Sequence, residues 1–168
     1  MTDFSRLVGE WQLFYATIMG CSATLLGLLF VSVSLNRSVI LNKDNIHLIF
    51  YSRQTFGLFL AIISISLTLI IPRQSPTGVG IPLTCIGISG LFMAVRGLVS
   101  RIRTKEYAAA FRRYGWSTVA FNAIIAASLH VLFFLDARSL SLVMAGMIML
   151  LVSATRSSWF FLMELQEK

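Results

Sequence analysis

Acidic residues are scarce in this chain. Seven Asp and Glu stand against fourteen Lys and Arg in 168 residues, and charge of either sign makes up only 12%. A soluble domain carries about a quarter charged residues, because its surface must face water. The shortage therefore excludes an ordinary water-soluble fold. Cysteine is almost missing too: Cys21 and Cys85 are too few for a disulfide framework. Their expected depths in a membrane are too different for a bridge, so both read as small helix-packing residues. The histidines, His47 and His130, are expected on opposite membrane sides, which argues against a two-histidine metal or haem site. No His-Glu-x-x-His, Cys-x-x-Cys, P-loop, dinucleotide fingerprint or Gly-x-Ser-x-Gly elbow occurs. The expectation is a protein that is not an enzyme and uses no cofactor.

What the chain has in abundance is apolar sequence, 57% of it hydrophobic with a mean hydropathy of +0.80. Five runs carry no charge: Trp11 to Asn36, Gln54 to Pro72, Gln74 to Val95, Tyr114 to Leu135, and Ser139 to Thr155. Crossing a hydrocarbon core of about 30 Å takes about 20 helical residues. The pattern predicts an all-α membrane protein, a single integral domain of five transmembrane helices. They are expected at residues 11–35, 54–71, 81–100, 116–135 and 139–156, with a basic connector over 101–113. Asn42-Lys43-Asp44-Asn45 offers caps for a helix that starts before the membrane. Ser75-Pro76-Thr77-Gly78 reads as a turn, and Pro82 suits the first turn of the third helix. The short link Asp136-Ala137-Arg138-Ser139 makes helices four and five antiparallel neighbours.

The net charge of +7 does not point to nucleic acid, because the basic residues form no stripe and gather instead at the ends of apolar runs. One side of the membrane receives Arg37, Lys43, Arg53, Arg96, Arg101, Arg103, Lys105, Arg112, Arg113, Arg156 and Lys168. The other receives only Arg6, Arg73 and Arg138. Cytoplasmic loops carry the excess of Lys and Arg, so the N-terminus is expected outside and the C-terminus in the cytoplasm. Only an odd number of crossings gives this asymmetry loop by loop. Arg101, Lys105, Arg112 and Arg113 are expected to contact the anionic cytoplasmic leaflet. Within the connector, Tyr107, Phe111 and Tyr114 share one helical face and Arg101, Lys105 and Arg112 another. That fits a short interfacial helix, or equally an extension of the third helix into the cytoplasm.

The first helix has a narrow face of small residues: Thr17, Gly20, Cys21, Thr24 and Gly27. Lipid gains nothing from glycine, whereas a neighbouring helix gains close approach. The face serves packing within the chain, or else a homo-oligomeric interface or pore lining. His130, inside the fourth helix, shares a face with Ala123 and Ala127. It is either a neutral histidine satisfied by a neighbour or a group that gates or relays protons. Asn122 is expected to hydrogen-bond between helices. Glu10 is a cap-region charge or an outer-vestibule charge selecting cations. Arg96 and Arg156 are expected one turn inside the cytoplasmic helix ends, snorkelling. Trp11, Trp116 and Trp159 fit interfacial anchors.

The stretch Ala23-Thr24-Leu25-Leu26-Gly27-Leu28-Leu29-Phe30-Val31-Ser32-Val33-Ser34-Leu35-Asn36 resembles the first-helix signature of small uncharacterised bacterial polytopic membrane proteins. In those, a Gly/Ala-rich half-helix runs into a Leu-Phe-Val-x-Val-Ser-Leu-Asn end. The resemblance implies a bacterial inner membrane and no activity. Three functional expectations follow from the chain as a whole. It is a helix-packing or oligomerising subunit of a membrane complex, a homo-oligomeric channel or pore, or a small transporter. The last is disfavoured by the lack of inverted repeats.

The orientation is open to a labelling experiment in a Cys21/Cys85-free background. Single cysteines at Ser75 and Ser139 are expected to react with an impermeant maleimide in intact cells, and one at Thr104 only after permeabilisation. A Thr104 cysteine labelled in intact cells overturns the orientation.

Overall fold

The computed structural model describes residues 8–40, 46–72, 75–102, 107–134 and 138–166. Among them the chain forms six helices: α1 (Gln12–Leu35), α2 (Arg37–Ile40), α3 (Ile46–Ile70), α4 (Pro76–Ile102), α5 (Tyr107–Phe134) and α6 (Arg138–Gln166). All but the four-residue α2 are long and apolar enough to cross a membrane. In hydrocarbon every backbone N–H and C=O must be satisfied within the segment, and a continuous helix does this.

The helix ends follow local chemistry. Asn36 closes α1 by turning both its backbone N–H and its side-chain amide onto the Ser32 carbonyl, at 3.2 and 2.9 Å. The predicted turn at Ser75–Gly78 is instead the start of α4. Ser75 Oγ accepts the Gly78 N–H at 3.1 Å, and Pro76 takes the first helical position, where a missing N–H costs nothing. Pro82 consequently lies inside α4 and not in its first turn. The last helix was expected to stop at residue 156, but α6 runs on to Gln166. Arg156 interrupts only the charge-free run. It is exposed, while Ser157 and Phe161 continue the buried stripe. It therefore lies well inside α6, not one turn from its end.

No separate interfacial helix occupies the basic connector among the described residues. Arg101 belongs to α4, and Arg112 and Arg113 to the opening turns of α5, so the flanking helices absorb most of it. Lys105 and the expected caps at 42–45 lie outside the described residues, as do Asp136 and Ala137.

Helices α3, α4, α5 and α6 pack in a ring, each against the next, with α6 closing onto α3; α1 lies outside against α3. On α3, α5 and α6 buried residues recur at alternating spacings of three and four. On α6 the stripe is Leu140, Val143, Met147, Leu150, Ala154, Ser157 and Phe161, and on α5 it is Tyr114, Ser117, Phe121, Ile124, Ser128 and Val131. A mean repeat of 3.5 residues is that of left-handed knobs-into-holes packing.

The closest seam joins α4 to α5. Gly80, Gly87, Gly90 and Gly97 face Leu132, Ile125, Phe121 and Tyr114 in antiparallel order. A Cβ on any of these glycines would collide with the side chain it faces. The absent side chains are what admit the large residues of α5. Between them, Thr84 Oγ1 and Ser128 Oγ share a hydrogen bond of 2.9 Å. Tyr114, expected among headgroup-level aromatics, is fully buried in this seam.

Gly90→Ala is expected to destabilise the detergent-dispersed monomer by about 1–3 kcal/mol, the usual cost of overpacking. Gly20→Ala has the opposite sign, because open space surrounds Gly20 and a helical glycine costs about 0.5–1 kcal/mol relative to alanine. Denaturant unfolding in mixed micelles reads both, and equal shifts would refute the glycine seam.

Candidate functional site

Helix α1 carries two stripes. Its inward face presents Tyr15, Ile18, Ser22 and Leu29 to the bundle, all buried. At its start, Gln12 Nε2 donates to the Ile70 carbonyl of α3 at 3.2 Å, satisfying one of the acceptors a helix C-terminus leaves open. The seam is imperfect. Tyr15 Oη and Ser22 Oγ are buried without a hydrogen-bond partner, as is Ser66 Oγ on α3, and each such group costs about 1–3 kcal/mol.

The second stripe lies on the opposite side. Thr17, Gly20, Cys21, Thr24 and Gly27 are all exposed, and nothing stands within 4 Å of a Cβ built on Gly20 or Gly27. Packing within the chain, one reading of this face, is therefore not its use: it points away from every other helix of its own bundle. Its hydroxyls are already satisfied. Thr17 Oγ1 donates to the Leu13 carbonyl at 2.8 Å and Thr24 Oγ1 to the Gly20 carbonyl at 2.9 Å. The face has little polar reach left over, and what it offers is small size. Thr17, Gly20, Thr24 and Gly27 repeat at three, four and three residues, the spacing of the buried seams. Of the five spans, α1 has the smallest share buried.

The remaining candidates do not converge. Asn122 on α5 is exposed, and its Nδ2 donates to the Thr118 carbonyl of the same helix at 2.9 Å. The expected bond between helices is replaced by one within a turn. His130 lies one turn before the end of α5, half-buried, with Ala127 on the same side fully buried. Eight residues separate it from Asn122, about 12 Å along the axis. Glu10 is exposed on the helical turn ahead of α1, and α1 packs chiefly on α3, not on α5. The three residues thus form no common site within one chain. Among the described residues no group of three His, Cys, Asp or Glu is placed to hold a metal ion. Both cysteines are free and exposed.

The packing stripe that matters within the chain, the α4 glycines, did not stand out in the sequence. Small residues occur on several sides of α4, including Cys85 and Ser89, and blur the face. The repeat of seven from Gly80 to Gly87 and from Gly90 to Gly97 is the signal that identifies it. No family model, curated protein or solved structure matches the chain.

Proposed function

We propose that this chain is a non-enzymatic multi-pass membrane protein that works by assembly: a helix-packing subunit whose α1 face docks against another helix. The observation that carries this reading is the second stripe of α1. It repeats the spacing of the seams already used in the fold, it is built of glycine, threonine and cysteine, and among the described residues no other helix covers it. Leucine facing lipid is indistinguishable from its solvent, whereas a glycine stripe lets a second backbone approach and gain dispersion contact.

The proposed setting is a bacterial inner membrane, with the N-terminus outside and the C-terminus in the cytoplasm. The support is the concentration of Lys and Arg at one end of the bundle, where Arg53, Arg96 and Arg101 lie on α3 and α4. The same charges favour the anionic leaflet as a lipid partner.

Native mass spectrometry of the protein, gently extracted from its own membrane, tests the assembly. A discrete homo-oligomer, or a complex with other chains, is expected from the wild type. Gly20→Leu is expected to release the monomer, because a leucine there holds the neighbouring backbone away. A monomeric wild type, or an assembly untouched by Gly20→Leu, overturns the proposal.

A further inference from the structure

The seam between α3 and α4 is the loosest in the ring, and it opens sideways. Gly57, Ala61 and Ser64 on α3 and Ile86, Ser89 and Gly90 on α4 line a groove of about 550 Å³, its open side included. Behind it, a small recess of about 20 Å³, room for a single water, reaches inward to Phe121 and to Gln54. Gln54 is only 5% exposed, a polar amide held beside this cavity at the edge of the apolar span. Met93 borders both spaces, its Sδ 3.0 Å from the position of a Gly57 Cβ. An unbranched thioether at that point is a floor that can adapt to an occupant.

Each wall of the groove ends in an arginine at the same end of the bundle. On α3 the outward stripe runs Arg53, Gly57, Leu60, Ser64, and on α4 it runs Ile86, Ser89, Met93, Arg96. Both arginines are exposed. From Arg53 to Ser64 the helix rises about 16 Å, close to the thickness of one leaflet of a hydrocarbon core of about 30 Å. The lined stretch from Gly57 to Ser64 rises about 10 Å, and with Arg53 and Arg96 one turn beyond it at the same end this open-sided trough complements the shape and charge of an anionic lipid. Guanidinium binds phosphate through paired N–H donors.

We infer that the α3–α4 groove is a binding site for one anionic glycerophospholipid, its acyl chain along Gly57, Ala61 and Ser64 and its phosphate held between Arg53 and Arg96. This rests on the membrane-spanning reading and is independent of what covers α1. The site is distinct from the general attraction of the basic connector, because it couples charge to a shaped apolar cavity.

The test uses the full chain reconstituted in vesicles of equimolar phosphatidylcholine and phosphatidylglycerol, then transferred to native mass spectrometry to identify the retained lipids. The wild type is expected to keep one phosphatidylglycerol in preference to phosphatidylcholine. Arg53→Gln/Arg96→Gln is expected to lower that preference at least tenfold. The charge-matched control Arg37→Gln/Arg156→Gln, on exposed residues away from the groove, is expected to leave it unchanged. Ala61→Leu, which fills the trough, is expected to reduce retention with all arginines present. Equal loss in both double variants would reduce the effect to net charge and overturn the site. So would an unchanged preference in Arg53→Gln/Arg96→Gln. A Ser64→Cys variant that cross-links between copies in the same vesicles would give the groove to a second chain and likewise overturn it.

Discussion

Lipid is as apolar as leucine, so two helices in a bilayer gain nothing by hiding apolar side chains from their solvent; they gain by approaching more closely than lipid can. In this bundle that approach is made along α4. Its four glycines leave hollows into which Tyr114, Phe121, Ile125 and Leu132 of α5 fit. The α4–α5 pair then presents the remaining faces of both helices at fixed angles. Helix α6 continues the same logic, with Gly146 set against Ile124 and the Ala120 carbonyl. Helix α3 closes the ring with its own buried stripe of Thr55, Leu58, Ile62, Ile65 and Leu69. Packing is closest along the glycine seam and loosest where α3 meets α4, while α1 lies on α3 with unpartnered hydroxyls in its contact.

Two features of the surface stay open. Where α3 meets α4 the ring is loosest, and a groove remains with arginines at one end. On the side of α1 that no described residue covers, a small-residue stripe remains. One is concave and charged at its mouth; the other is shallow, with its threonine hydroxyls already bonded. Their chemistry is different enough that they suit different occupants, a lipid in the first case and a helix in the second.

That five helices are long and apolar enough to span a membrane was legible because charge is segregated so sharply, as in the run from Gln54 to Pro72. Their ends were less legible. Ser75-Pro76-Thr77-Gly78 has turn composition, yet serine and proline in that order also cap and open a helix. Arg156 ended a charge-free run without ending a helix, since an outward-facing arginine can lie along α6. The seams were hardest to see. In a soluble helix a polar face marks what is outside, but here both faces of α3 and α5 are apolar and hydropathy gives no contrast. The face on α1 was visible because its surroundings are leucine and phenylalanine. That it pointed outward was not, because nothing in the residues themselves says where the neighbour stands. Asn122 was misread for a local reason: a helical asparagine finds an acceptor four residues back in its own helix.

The closure of the ring by α6 against α3 also bears on how the chain is made. Domains and helices emerge N-terminus first during synthesis. Helix α3 leaves the ribosome before its neighbours α4 and α6 exist, with Ser52, Gln54 and Thr55 on faces that end up buried. Of the long helices described that pack on α3, only α1 precedes it in the chain. Of the helices described, α6 is made after the others and seals the ring. Until then α3 is half-partnered, and its Ser52 and Thr55 hydroxyls are carried by bonds to the Ile49 and Tyr51 carbonyls of its own helix.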